Sequence, residues 1–504
     1  MCGIVAISGR GANRYNSTVK TMLGRLSHRG PDDQGIFLGE NVALGQQRLS
    51  IIDVAGGRQP IFAENGQKCI ICNGEIYNYP TLKGGLSRHR FHTNSDTESI
   101  IHLFEEEGKT SFPKLDGMFA FVLYDGQDVI VARDPLGIKP LYEGHKDDLV
   151  LFASEIKALE GIADYVREFP AGHYYSSNTG YIPYYDIPDN ASYERDIKTI
   201  TTGLRKRLTR AVKKRLMSDV PLGVFLSGGI DSSIIASIAR RHFERLNSFS
   251  VGMKNSPDLM YARRVADFLG TDHHEYVYDQ NEVMEILPEV IYHLESFDQA
   301  LVRSAIPTFF VSRLASNYVK VILTGEGSDE LFAGYRYFEE IDKEESLHNE
   351  SVRILSGLHN LNLQRVDRMT MAHSIEGRVP FLDLDLVEYA LKIDPQLKMT
   401  REDRMEKWLL REAFTGYLPD EVLWRTKMEF ADGCGSSSLI ARYAEDEITD
   451  AEFEAQRQPS EFLRLHSKEE LFYFRIFQRY FNTLGIHKTV GKWRGTCPTG
   501  GFAT

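Results

Sequence analysis

Leu222-Gly223-Val224-Phe225-Leu226-Ser227-Gly228-Gly229-Ile230-Asp231-Ser232-Ser233-Ile234-Ile235-Ala236-Ser237-Ile238-Ala239 passes from a short apolar strand through a turn of small residues into a helical pattern. A strand-turn-helix unit of this kind belongs to a parallel α/β sheet. Small residues let backbone N–H groups approach phosphate oxygens, and the helix N-terminus adds favourable partial charge. Asp231 is a natural magnesium ligand beside such phosphates. The Walker pattern is absent, because Leu103 stands where Gly108-Lys109-Thr110 would need its first glycine. A second turn, Thr324-Gly325-Glu326-Gly327-Ser328-Asp329-Glu330, follows the apolar run Val319 to Leu323 and brings three carboxylates and two glycines. In a parallel sheet both turns emerge at the same carboxyl edge and can face one nucleotide.

Upstream, Leu204, Leu208, Val212 and Leu216 form one helical stripe, with Arg205, Lys206, Arg207, Arg210, Lys213, Lys214 and Arg215 on the other faces. Pro221 should end that helix. The polar segment Tyr184 to Thr201 shows no strand alternation, so a linker is expected over 187–201. Before it, from 1 to 186, short apolar or alternating runs broken by Gly, Pro and Asn predict a mainly β domain. Residues 202–490 make the second domain, α/β and then increasingly helical, and the Gly- and Thr-rich stretch 491–504 is expected to be loosely ordered.

The chain has 504 residues with 42% hydrophobic, 26% charged and 11% aromatic content, which excludes collagen-like, coiled-coil and disordered classes. Its formal charge of -12 disfavours nucleic acid and anionic membranes as partners. No run approaches the roughly 18 apolar residues of a membrane span. The N-terminus lacks a charged segment before its apolar run, so a cytoplasmic protein is expected. Five scattered cysteines give no disulfide framework. Cys69 and Cys72 form a C-x-x-C whose odd separation puts the two thiols on opposite strand faces, with no second ligand pair for a metal.

Removal of Met1 would leave Cys2 with a thiol and a free α-amine, a nucleophile carrying its own base. An α-amine with pKa near 7.7–8.0 can take up the thiol proton at neutral pH. Attack on a carbonyl needs oxyanion donors, and Asn73-Gly74-Glu75 at a strand-turn junction can supply a side-chain amide and a backbone N–H. Arg48 could hold a carboxylate bidentately. Asp96, assisted by Glu75, could pair with an ammonium. Together these groups fit glutamine.

Cys2-Gly3-Ile4-Val5, His28-Arg29-Gly30-Pro31-Asp32, Arg48-Leu49-Ser50-Ile51-Ile52-Asp53, Asn73-Gly74-Glu75-Ile76-Tyr77-Asn78, Ser95-Asp96, Gly117-Met118-Phe119-Ala120-Phe121 and Arg133-Asp134 resemble, in order, the glutaminase domain of class II amidotransferases. Ser227-Gly228-Gly229-Ile230-Asp231-Ser232-Ser233 resembles the signature of ATP pyrophosphatases. With the Thr324–Glu330 turn and Trp424-Arg425-Thr426-Lys427, it is similar to the synthetase domain of glutamine-hydrolysing asparagine synthetases. The resemblance implies an α+β N-terminal-nucleophile sandwich of antiparallel sheets (αββα), then an α/β parallel-sheet ATP-pyrophosphatase domain with extra helices. It implies Cys2 as nucleophile, Asn73 and Gly74 as oxyanion donors, and Arg48, Ile51, Ile52, Asn73, Gly74, Glu75 and Asp96 around glutamine. ATP would meet Phe225, Leu226, Ser227, Gly228, Gly229, Asp231, Ser232, Val251, Thr324, Gly325 and Lys427. Asp231 and Asp329 would hold Mg2+, and Glu326 would be the base for amide formation.

The implied reaction converts a carboxylic acid to an acyl-adenylate and then to an amide, with ammonia passing internally from Cys2 along walls that include Met118. Aspartate is the leading acid, although Ala300 and Leu301 stand where the family has threonines before Arg303, the candidate carboxylate clamp; another acid is the alternative. A homodimer is also an expectation. A tRNA-modifying enzyme would use the basic stripe from Arg205 to Arg215, but aromatics do not interleave with it. A phosphoribosyl or sugar amidotransferase would share only the first half. Arg365-Val366-Asp367-Arg368-Met369-Thr370-Met371-Ala372 also matches the family and is read as structural support.

Overall fold

The computed structural model describes residues 2–188, 192–341, 344–402, 404–426, 433–434 and 439–493. Lys427, Cys497 and the stretch from 494 onward lie outside the described residues.

The first half contributes twelve strands, β1 (Cys2–Ser8), β2 (Asp33–Gly39), β3 (Val42–Arg48), β4 (Ile61–Phe62), β5 (Cys69–Ile76), β6 (Gly117–Tyr124), β7 (Val129–Arg133), β8 (Tyr142–Lys146), β9 (Leu149–Ala153), β10 (Tyr165–Glu168), β11 (His173–Ser176) and β12 (Gly180–Pro183). They form two six-stranded antiparallel sheets, ordered β10-β8-β9-β1-β3-β2 and β12-β11-β7-β6-β5-β4. Strand alternation explains the layering. Ile4 and Ala6 of β1 meet Cys69, Ile71, Ala120 and Val122 between the sheets. Val5 and Ile7 turn outward onto Val19, Met22 and Leu23 of the helix Asn16–Gly24. Cys72, Phe119 and Phe121 turn outward onto Ile100, Ile101 and Phe104 of the helix Glu98–Glu107. Each sheet thus has a helix on its outer face, giving the expected αββα order. The two cysteines of the C-x-x-C occupy different cores, as their spacing predicts.

The second half is built on β13 (Leu222–Phe225), β14 (Asn247–Gly252), β15 (Asp272–Val277), β16 (Val321–Leu323) and β17 (Glu376–Arg378). They form a parallel sheet ordered β15-β14-β13-β16-β17. Because the strands are parallel, the Ser227 and Thr324 turns leave neighbouring strands β13 and β16 at one edge.

Three expectations are corrected in detail. The helix Ile197–Lys214 begins inside the stretch expected as linker, because Asp196 caps it by accepting the Thr199 N–H. Arg215 is buried rather than on a solvated face, where it donates to Asp383 at 2.8 Å. The first residues of the expected loose tail are anchored: Trp493 N–H donates to Asp298 at 3.1 Å and its ring meets Tyr335 edge-on.

Candidate active sites

Cys2 is the first residue of β1 and lies opposite Arg48 of β3. Its backbone N–H donates to Asn73 Oδ1 at 3.0 Å. That bond turns the amide so that Asn73 Nδ2, buried without a protein partner, remains as a donor. Gly74 follows with φ +153°, and a Cβ there would lie 2.0 Å from the Met118 carbonyl, so only glycine lets β5 approach β6 at this point. Arg48 is fixed by the turn after β3, donating to the carbonyls of Val54, Ile52 and Asp53 at 3.3, 3.2 and 2.8 Å. Burial raises the pKa of the Cys2 thiol, while the Leu49 N–H and Arg48 pull the other way.

The two acids expected at the glutamine ammonium are both buried. Asp96 accepts the Ile76 N–H at 2.6 Å, and burial pushes its carboxyl up to about 6. Burial, with Glu376 and Asp96 nearby, holds Glu75 well above the usual carboxylate range. Glu75 lies 3.8 Å from the Arg378 guanidinium, which comes from β17 of the other half. Ile51 and Ile52 are buried in the wall, and the Ile51 carbonyl accepts the Asp219 N–H at 3.0 Å, another tie between halves.

At the edge of the parallel sheet, Ser227 Oγ and Ser232 Oγ lie 3.1 Å apart and Gly229 N–H donates to Ser227 Oγ at 3.3 Å, which closes the turn around the helix start at Ile230. A Cβ on Gly325 would come within 2.9 Å of the Asp231 Cβ, so this glycine lets the two turns touch. Asp231 and Asp329 converge on one ammonium, Lys407 Nζ, at 2.6 and 2.7 Å. Burial disfavours that charge, but the two carboxylates outweigh it and raise the Lys407 pKa. Ser328 Oγ donates to the other oxygen of Asp231 at 2.5 Å. Val251 is buried near the end of β14, its carbonyl accepting from the Cys434 thiol at 3.4 Å, and Phe225, Leu226 and Thr324 stand at the ends of β13 and β16.

The three carboxylates of the second turn divide by environment. Glu326 pairs with Arg365 at 2.5 Å and keeps 23% of its side chain exposed. Glu330 is buried, accepts from Tyr335 and Asn362 at 2.7 and 3.1 Å, and is pushed up to about 7 by burial and then by Asp329. Arg303, on the helix Gln299–Ala315, makes a bidentate pair with Glu469 at 2.8 and 2.5 Å.

Arg29 and Lys407 make contacts at the two sites that the sequence analysis did not assign to them. Arg29, fully buried, donates through Nε to the Cys2 carbonyl at 3.0 Å and through Nη1 to Glu155 and Asp367 at 2.6 and 2.7 Å. Arg368 continues the chain to Glu295 at 2.8 Å and Glu155 at 3.1 Å, so Asp367 and Arg368 do serve as supports, whereas Arg365 reaches the second site. The histidine-arginine motif around Arg29 was a visible signal, but nothing in Glu406-Lys407-Trp408 marks Lys407.

Met118, Leu49, Ile51 and Ile52 from the first site share one buried apolar cluster with Leu226, Leu323 and Val379 from the second. The basic stripe of Ile197–Lys214 is largely paired within the protein. Arg207 and Arg210 meet Asp385, Lys214 meets Asp116 and Asp383, and Arg205 donates to the Ala413 carbonyl. No helix among the described residues is long and apolar enough to cross a membrane.

Residues 1–211 match the glutamine amidotransferase domain family, and residues 203–344 and 339–485 match the asparagine synthase family. The chain is 40% identical to asparagine synthetase [glutamine-hydrolyzing] 3 of Arabidopsis thaliana, over 97% of this chain and 89% of that one. It is 41% identical to asparagine synthetase [glutamine-hydrolyzing] 2 of Oryza sativa subsp. japonica, over 97% and 87%. It is also 39% identical to a probable asparagine synthetase of Dictyostelium discoideum, over 98% and 96%. With both domains matched in order, and relatives of this identity aligned along nearly their full length, the chain belongs to the glutamine-hydrolysing asparagine synthetase family.

Proposed function

We propose that this chain is an ATP-dependent ligase that amidates aspartate to asparagine with nitrogen taken from glutamine. With Met1 removed, the Cys2 α-amine takes the thiol proton as sulfur attacks the glutamine carboxamide, Asn73 Nδ2 and Gly74 N–H stabilise the oxyanion, the amine passes the proton to departing ammonia, and water then hydrolyses the Cys2 thioester to release glutamate and restore the thiol. Arg48 holds the glutamine carboxylate, while Asp96 pairs with its ammonium and Glu75 assists by accepting a hydrogen bond from it. At the second site the aspartate side-chain carboxylate attacks the α-phosphorus of ATP, pyrophosphate leaves, and an acyl-adenylate forms. Ammonia adds to its carbonyl, AMP leaves, and Glu326 takes the ammonia proton.

The Lys407 ammonium 2.6 and 2.7 Å from Asp231 and Asp329 marks a point where two carboxylates converge on positive charge, a donor set that fits Mg2+. Bound there with ATP, Mg2+ would neutralise phosphate charge. Ser227, Gly228, Gly229 and Ser232 cradle the phosphates, Lys427 adds positive charge, and Phe225, Leu226, Val251, Thr324 and Gly325 receive the nucleoside. Arg303 clamps the acid substrate by exchanging Glu469 for the incoming carboxylate. A cytosolic location and a homodimer complete the reading.

The observation that supports it is that Met118, Leu49, Ile51 and Ile52 beside the first site share one buried apolar cluster with Leu226, Leu323 and Val379 beside the second, so the ground between the two sites is apolar and shut off from water. The test is a pair of variants. Cys2→Ala should abolish glutamine-dependent synthesis yet spare synthesis from added ammonium; Glu326→Gln should keep glutaminase activity and stop amide formation. Equal loss of both activities in either variant would refute coupled sites. Pyrophosphate release with a different acid but not with aspartate would refute the substrate.

A further inference from the structure

Glu64, His89, His102 and Glu105 each offer one ligand atom, all within 4.8 Å of one another, and none of them takes part in the chemistry above. Glu64 follows β4, His89 follows the helix Tyr79–Gly85, and His102 and Glu105 stand three apart on one face of the helix Glu98–Glu107. Zinc bonds of about 2.0–2.1 Å at tetrahedral angles put neighbouring ligand atoms roughly 3.4 Å apart. Here His102 Nδ1 lies 3.2 Å from Glu105 Oε2, and His89 Nδ1 lies 3.4 Å from Glu64 Oε2 and 3.6 Å from Glu105 Oε2. Three edges of the polyhedron are therefore already near their final length.

The surrounding groups orient the His102 ring in the same sense. Glu106 lies 3.7 Å from His89 Nε2, beyond hydrogen-bond reach, whereas Glu98 lies within it, 3.4 Å from His102 Nε2. A carboxylate at Nε2 holds the proton there and leaves the Nδ1 lone pair for a metal. Glu98 is itself fixed, accepting from His92 N–H, Thr93 N–H and Thr93 Oγ at 2.6, 2.7 and 2.5 Å. The Lys68 ammonium sits 3.1 Å from Glu105 Oε1 and leaves Oε2 facing the histidines. Four carboxylates thus surround two stacked imidazoles with one lysine between them, an excess of negative charge that a divalent cation balances. Imidazole and carboxylate together suit zinc.

We propose that Glu64, His89, His102 and Glu105 bind one zinc ion in a tetrahedral site that pins the loop carrying His89 to the helix just beyond Asp96. The ion's role is structural, holding the loop residues 86–97 in place, and through them the glutamine-binding carboxylate.

The test uses the full-length protein, stripped with a chelator, loaded with Zn2+ and passed through gel filtration. Metal analysis is expected to find one zinc per chain in the wild type and none in His89→Gln, a polar replacement of similar size at a mostly buried position, with a matching circular-dichroism spectrum showing that the variant folds, and none in Glu64→Gln, whose side chain is 38% exposed. Cobalt(II) serves as the spectroscopic probe: the wild type should show visible bands of tetrahedral nitrogen and oxygen ligation without a thiolate charge-transfer band, and His89→Gln should lose them. Glu98→Gln should weaken zinc binding roughly 10–100-fold by releasing the His102 proton position. The proposal is overturned if the wild type retains no zinc, if His89→Gln retains as much as the wild type, or if the cobalt spectrum is that of a thiolate site unchanged by the variant. In those cases His102 is simply a buried imidazole bridging Glu98 and Glu105.

Discussion

Replacing Lys407 with methionine removes one charge from the second site and little else. Lys407 has φ +57°, and methionine carries the same Cβ through that backbone, so the conformational cost is unchanged and the difference isolates the ammonium. The side chain is 1% exposed, and it leaves behind Asp231 and Asp329, exposed to 20% and 22%. Removing one partner of a buried ionic group costs about 3–5 kcal/mol, and the partial exposure of both carboxylates points to the lower figure. At about 3 kcal/mol the melting transition of the synthetase half, residues 202–490, should fall by about 5 °C. Calorimetry of Lys407→Met in EDTA and then in Mg2+ reads this directly. In EDTA the transition should drop, and Mg2+ should restore it by more than it adds to the wild type, because the metal no longer competes with an ammonium. Glutaminase activity should persist while amide formation from ammonium falls. A variant that melts with the wild type in EDTA, or that gains no more from Mg2+ than the wild type does, would refute the idea that these carboxylates form the cation-binding point.

Asn73→Ala removes the free Nδ2 donor and should lower glutaminase kcat about 10²–10³-fold without changing synthesis from ammonium; a change confined to KM would mean the amide only binds substrate. The Asp96 carboxyl, at about 6, is ionised and able to hold the glutamine ammonium above that pH and becomes neutral below it. The kcat/KM for glutamine should therefore fall roughly tenfold per pH unit on the acid side of 6. Asp96→Asn should abolish that limb along with most of the activity, and an unaltered profile in the variant would assign the limb to another group.

The strands, the two turns and the residues that gather around Cys2 could be read from the chain because their signals are local. Period-two alternation separates Cys69 from Cys72 over three residues, and the small residues around Gly228 mark a close backbone approach. Arg215 shows where periodicity stops being informative. Its helical position is that of a solvated face, but Asp383, 168 residues later, folds over it and buries the pair. Lys407 is illegible for the same reason, since its meaning lies in two carboxylates from distant turns. Arg303 could be located but not its partner, because Glu469 arrives from a helix 166 residues away. The histidines at 89 and 102 carry no spacing signature, as a loop and a helix bring them together only in three dimensions.

The ionic lattice at the junction of the halves has a mechanical meaning. Arg29, Glu155 and Lys157 come from one side and Glu295, Asp367 and Arg368 from the other, all of them almost fully out of solvent. Sliding one side past the other by a few ångströms would strand several of these ions at once, so rocking or swinging is a poor way for this molecule to hand over its cargo. It is bolted together like a fixed frame, so the proposed transfer between the sites calls for traffic through a standing structure. Genetic separation of the halves would leave each with bare ions on its cut surface.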